Sequence, residues 1–107
     1  MIMNQCDGLQ LNTAVQKALQ LIYNCVKQFS CIEHVILYGS WAKGTAMDRS
    51  DIDLAFVGSN IDLDLIREVL DQLDTLYKID VVDLNTCNNS RLIKEIEKDG
   101  ITIYSKI

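Results

Sequence analysis

The stretch YGSWAKGTAMDRSDIDLAF, from Tyr38 to Phe56, decides how the chain is read. It places a Gly-Ser pair and a second glycine in one turn-rich segment, then sets Asp51 and Asp53 one residue apart where an apolar run begins. Aspartate is depleted in strands. Two carboxylates on one strand face repel each other unless positive charge lies between them. With a period of two, Asp51, Asp53 and Ala55 share one face, and Ile52, Leu54 and Phe56 share the other. The segment reads as a site that holds a cation and something the cation binds.

The flanking sequence supplies the scaffold. HVILYG, ending at Gly39, is short, apolar and rich in branched residues, which predicts a buried strand; DIDLAFVG predicts a second. Between them, SWAKGTAMDRS has room for one helical turn. Upstream, Leu11, Ala14, Val15, Ala18, Ile22, Cys25, Val26 and Phe29 recur at three- and four-residue spacing. They predict a helix from about Leu11 to Phe29, capped by Asn12 or Thr13. Downstream, Ile66, Val69, Leu70, Leu73, Leu76 and Tyr77 form the stripe of a helix from about Leu63 to Tyr77, with Asp62 or Asp64 suited to its start. KIDVVDL predicts a third strand. Asn88 or Asn89 caps a last helix carrying Leu92, Ile93 and Ile96, which Gly100 stops, and ITIYS predicts a fourth strand. The order αβ(turn)βαβαβ implies an α/β (α+β) fold: a small mixed sheet with helices on one or both faces.

The third strand offers Asp80 and Asp83. Their separation of three puts them on opposite faces, so only one can join the first pair. Asp80 stands early in its strand, as Asp51 and Asp53 do, and is the choice for a third carboxylate; Asp83 reads as a surface residue. If the second and third strands are neighbours, Asp51, Asp53 and Asp80 converge. Three carboxylates on rigid strands suit two divalent ions about 3.5–4 Å apart. Hard oxygen ligands favour Mg²⁺, with Mn²⁺ as the alternative. Such a pair would bridge nucleotide phosphates, lower the pKa of an attacking hydroxyl and stabilise a leaving pyrophosphate. Asp80 is also placed to take the hydroxyl proton. Gly39 lets backbone approach phosphate oxygens, and Ser40 supplies a hydroxyl and an amide. A helix starting there adds partial positive charge and Lys43 a full one. Gly44 permits a tight exit, and Ser50 is placed to donate to a terminal phosphate. Trp41 reads as a packing residue or a partner-facing anchor before a base-stacking platform. Asp48 and Arg49 read as turn residues, and His34 receives no role.

Bulk properties bound the function. A chain of 107 residues with 49% hydrophobic content fits one domain with a real core, taken as residues 1–107. A net charge of −5 argues against direct nucleic-acid binding, but not against a nucleotide neutralised by metal. The cysteines, Cys6, Cys25, Cys31 and Cys87, have no Cys-x-x-Cys spacing and form no zinc set with His34. They read as free thiols of a reducing cytoplasm. Neither a signal peptide nor a membrane-spanning run is visible. A Walker A loop lacks its closing Gly-Lys-Ser/Thr, and an EF-hand lacks its glycine and glutamate.

The segment resembles the DNA polymerase β-like nucleotidyltransferase superfamily, and within it the minimal nucleotidyltransferases (MNT) of bacteria and archaea. Gly39-Ser40-Trp41-Ala42-Lys43-Gly44, then Ser50-Asp51-Ile52-Asp53-Leu54, follows the family pattern, and Ile79-Asp80-Val81-Val82 matches the setting of its third carboxylate. Lys43 stands where the family usually has arginine; lysine keeps the charge but loses the planar fork. The tail LIKEIEKDGITIYS also resembles the family's ending. The resemblance implies that Asp51, Asp53 and Asp80 are catalytic and bind metal. It further implies that Gly39, Ser40, Lys43, Gly44 and Ser50 bind the nucleotide. It implies Mg²⁺-dependent transfer of AMP from ATP to an acceptor hydroxyl. It also implies a partner, since many such chains pair with a HEPN-domain toxin as its antitoxin and modify one of its tyrosines, which makes a hetero-oligomer the expected assembly. Two alternatives remain: a binding subunit that masks its partner without catalysis, and the nucleotide-binding subunit of a two-component small-molecule nucleotidyltransferase.

Overall fold

The computed structural model describes residues 12–106. Leu11 and Cys6 lie outside the described residues. The elements are α1 (Thr13–Val26), β1 (Ile32–Tyr38), α2 (Ser40–Lys43), β2 (Ile52–Gly58), α3 (Leu63–Asp71), β3 (Ile79–Asp83), α4 (Ser90–Asp99) and β4 (Ile101–Ser105). The strands form one mixed sheet in the order β3-β2-β1-β4. β1 runs antiparallel to β2 and β4, and β2 runs parallel to β3. A parallel pair needs a crossover, and α3 provides it.

Each of the three longer helices begins on an Asx cap. The side chain of Asn12 accepts from the Val15 amide at 2.8 Å, Asp62 from Leu65 at 3.1 Å, and Asn89 from Leu92 at 3.2 Å. Each cap satisfies one amide that the first helical turn leaves without an intrahelical acceptor. Of the paired expectations, Asn12, Asp62 and Asn89 are therefore the caps.

The two sheet faces have different cover. Val35 and Leu37 of β1, Ile52, Leu54 and Phe56 of β2, Ile79 and Val81 of β3 and Ile103 of β4 form the main core with α1, α2 and α3. On the other face Tyr38, Ala55 and Ile96 form a smaller cluster with Ile36, Val82, Leu84 and Leu92, so α4 covers that side. The register Tyr38↔Asp53 and Asp53↔Asp80 places the acidic side chains on the face that α4 covers.

Three expectations need correction. The helix expected to reach Tyr77 ends at Asp71, with Gln72 as its C-cap. Thr75 accepts from the Tyr77 amide through its hydroxyl at 3.2 Å and donates its own amide to Leu73 at 2.8 Å, so local side-chain bonding replaces the helix. Leu76, expected on the apolar stripe, is 96% exposed, whereas Tyr77 packs edge-on against Trp41 at 5.9 Å. The first helix stops at Val26 rather than Phe29, because the Phe29 amide turns back to Val26 at 3.0 Å. Asp83, expected at the surface, is 8% exposed. It does lie on the face opposite Asp80, beside Phe56. Its carboxylate accepts from the Asn85 amide at 2.9 Å, and its carbonyl accepts from the Thr86 and Cys87 amides, which organises the turn leaving β3.

Leu54→Ala, at a site with no exposure, should cost about 2–5 kcal/mol. Leu76→Ala should stay within about 0.5 kcal/mol. Urea denaturation checks both; equal losses would restore the longer helix.

Candidate active site

The site forms where β1 ends and β2 and β3 begin. Tyr38 is the last residue of β1, and the chain turns at Gly39, whose φ of 76° and ψ of −153° no β-carbon tolerates easily. A β-carbon at Gly39 would also collide with the Asp53 carboxylate and lie 3.2 Å from its Cγ. The Gly-Ser turn therefore lies directly against the second aspartate, which is what the sequence segment implied by juxtaposing them. α2 follows at Ser40 and closes at Gly44, which is left-handed at φ 78° and donates its amide to the Ser40 carbonyl.

Two side-chain bonds help hold the loop back to β2. The Trp41 indole donates to the Ser50 carbonyl at 2.8 Å, and the Ser50 hydroxyl accepts from the Met47 amide at 2.8 Å. Trp41 is buried at 6% exposure. It is a packing residue that fixes the approach to Asp51, not a platform for a base. Ser50 spends a lone pair on the turn and keeps a proton to donate.

Asp53 stands directly beside Asp80 across the parallel ladder, and Asp51 precedes it by two residues, immediately ahead of β2, which begins at Ile52 rather than at Asp51 as the sequence implied. The second and third strands are thus neighbours, and Asp53 and Asp80 are paired across them. Burial pushes the Asp53 carboxyl from 3.8 up to about 6, and Asp80, Asp51 and Glu95 add to the rise. Tyr38, its partner in the antiparallel ladder, is pushed up to about 12 by burial, with Asp53, Asp80, Glu95 and Cys87 contributing. Burial is the larger cause of both shifts, and neighbouring negative charge adds to it. The nearest cation to Asp80 is Lys78, at a loose 3.9 Å.

Lys43 is engaged by α4. Its Nζ donates to Glu95 Oε1 of α4 at 2.7 Å. That bond holds the ammonium pKa above its ordinary value; partial burial opposes it, and the Glu95 and Asp99 charges reinforce it. Tyr38 and Glu95 belong to the site and were missed by sequence reasoning. Tyr38 adjoins the Gly-Ser pair in sequence, so it was within reach. Glu95 carries no signal beyond its place on an amphipathic helix 52 positions from Lys43.

The donor set suits a hard divalent cation: carboxylate oxygens on adjacent strands, with excess negative charge. Among the described residues, no group of three His, Cys, Asp or Glu side chains is gathered so as to hold a metal as it stands. Like charges side by side favour side chains turned apart, so a cation would draw them in. Cys25, Cys31 and Cys87 are free thiols. No helix among the described residues is long and apolar enough to cross a membrane.

Comparison with known proteins identifies the fold. Residues 20–107 match the family model described as Polymerase beta, Nucleotidyltransferase. No curated protein matches the chain. A toxin–antitoxin crystal structure with AMP-PNP aligns at a TM-score of 0.60 and 24% identity, over 90% of this chain and 75% of that one. The toxin–antitoxin MntA–HepT aligns at 0.61 and 18% identity, over 85% and 73%. A structure from Shewanella oneidensis, of a tri-AMPylated HEPN toxin in complex with an MNT antitoxin, aligns at 0.54 and 20%, over 82% and 73%. At these identities the likeness is one of fold.

Two outcomes check the site. Asp53 is protonated more readily folded than unfolded, so its contribution to stability is present below about pH 4 and is lost as pH rises through about 6. Asp53→Asn should therefore melt higher than the parent at pH 8, with the gap closing towards pH 4; a gap independent of pH would contradict this. Gly44→Ala, strained but facing open space, should cost about 1 kcal/mol. Gly39→Ala should cost more, because it must also displace the Asp53 side chain.

Proposed function

The chain belongs to the polymerase beta nucleotidyltransferase family, and from that premise we propose that it transfers AMP from ATP to a hydroxyl of a partner protein. The acceptor is a tyrosine of a HEPN-type toxin, and the chain acts as the antitoxin. The observation that carries this reading is the contact of the Gly39–Ser40 turn with Asp53, which itself stands beside Asp80. A phosphate-approaching turn and a metal-binding pair are useful only when adjacent, and here they touch. The aligned toxin–antitoxin structures, one with AMP-PNP and one with an AMPylated HEPN toxin, support the nucleotide and the partner.

In this reading Asp51, Asp53 and Asp80 hold Mg²⁺, with Mn²⁺ as a substitute. When bound, the metal neutralises the triphosphate and lowers the pKa of the attacking hydroxyl. The chain's own groups do the rest. Gly39 admits phosphate oxygens to the backbone, and the Ser40 amide and hydroxyl donate to them. Gly44 sets the end of the turn, Ser50 donates its remaining proton, and Lys43, once released from Glu95, supplies a cation. Asp80, exposed at the strand start, accepts the proton of the incoming tyrosine. The tyrosine oxygen bonds to the α-phosphorus while the bond to pyrophosphate breaks, so the work is alignment and charge stabilisation. The phenol of Tyr38 stays protonated at neutral pH and buried, so it is no competing acceptor. The residues act within one domain spanning 1–107, in a cytoplasmic protein.

A second reading, a masking antitoxin without catalysis, draws on the three aspartates not being gathered for a metal. One experiment separates the two. The HEPN-type protein encoded beside this chain is incubated with it, ATP and Mg²⁺, and its intact mass is measured. One or more added AMP units, lost in Asp51→Ala and Asp53→Ala by at least about a hundredfold, supports transfer. A stable complex with no added mass supports masking. No complex and no added mass overturns both and returns the small-molecule reading.

A further inference from the structure

α4 lies over the sheet face that carries Asp53 and Asp80, fastened there by Ile96 and Leu92 against Tyr38 and Ala55. Glu95 precedes Ile96 and so stands at the flank of that contact. Its carboxylate takes Lys43 of α2 at 2.7 Å, and the two side chains are 33% and 37% exposed, within reach of solvent and of a ligand. The lysine that belongs to the Gly39–Gly44 turn is therefore already neutralised by an ion pair within the chain. A triphosphate approaching this face meets Asp51, Asp53, Asp80 and Glu95, while the charge that would welcome it is engaged. One of the three ammonium protons is committed to Glu95, and any phosphate must share or displace that bond.

We infer that Glu95 makes nucleotide binding at this site depend on divalent cations, by occupying Lys43 until a cation reverses the local charge. Glu95 is a positioning residue: it acts through Lys43 and on the order of binding, and touches no reacting atom. The inference rests on the nucleotidyltransferase reading. Its rival is an ion pair that merely clamps α2 to α4.

The test is the affinity for ATP, measured by calorimetry in excess EDTA and again in saturating Mg²⁺, for the parent chain and for Glu95→Gln. The substitution keeps the shape of a partly exposed side chain. In EDTA, Glu95→Gln should bind ATP about three- to fivefold more tightly, the scale of a partly exposed pair. In Mg²⁺ the change should stay below about twofold, because the cation already offsets the carboxylate. In a Lys43→Met background the gain in EDTA should vanish. Unchanged or weaker binding of Glu95→Gln in EDTA, as a simple clamp would give, overturns the inference, and so does an equal gain in the Lys43→Met background. A parent chain that binds ATP in neither condition overturns the nucleotidyltransferase reading itself. A parent that binds with Mg²⁺, beside a Glu95→Gln variant identical to it in EDTA, overturns only the role of Glu95.

Discussion

The parallel pairing of β2 with β3 sets Asp53 beside Asp80, and much of the molecule answers to that one juxtaposition. Two carboxylates side by side, with Asp51 two residues away, are a liability in a folded chain. The protein accepts it: burial and mutual repulsion raise the Asp53 carboxyl to about 6. A fold optimised for stability alone would not keep this arrangement at the edge of its core. Unrelieved charge at a site framed by a phosphate-approaching turn is better explained by a ligand that brings positive charge with it.

The scaffold is organised to hold that strain in place. Ile52, Leu54 and Phe56, fully buried on the opposite face of β2, anchor the strand that carries Asp53. α3 returns the chain so that β3 pairs in parallel. Trp41 ties the β1–β2 connection to the Ser50 carbonyl and rests on Tyr77 at the entry to β3. One aromatic ring thus links the segments leading into both acidic strands. On the second face α4 provides thin cover, and that thinness keeps the aspartates open to solvent and ligand.

Much of this was legible because it is local. Strand periodicity set Asp53 opposite the buried face of Ile52, Leu54 and Phe56, the three-residue spacing separated Asp80 from Asp83, and the alternation of helix and strand gave the mixed sheet. The Gly39–Ser40 turn and Asp53, close in sequence, also lie against each other in the fold. What escaped depends on contacts the one-dimensional pattern does not carry. The apolar run after Asp71 keeps helical spacing, yet the Thr75 hydroxyl and amide bonds favour a turn and leave Leu76 in solvent. Asp83 looked like a surface charge because nothing in sequence showed its carboxylate bonding to the Asn85 amide two residues on. The partner of Lys43 lies on another element altogether, and a lysine's reach does not reveal its target.

The central claim is that Asp51, Asp53 and Asp80 are a metal-binding set beside a phosphate-binding turn. Its most direct test is a crystal structure of the chain grown with AMP-PNP and Mn²⁺, with anomalous scattering used to locate the metal. The account predicts manganese peaks bounded by the three carboxylates, two of them about 3.5–4 Å apart, with the nucleotide phosphates against Gly39 and Ser40. Manganese absent from those carboxylates, or nucleotide bound at the cleft lined by Lys17, Leu73 and Tyr77, would contradict it.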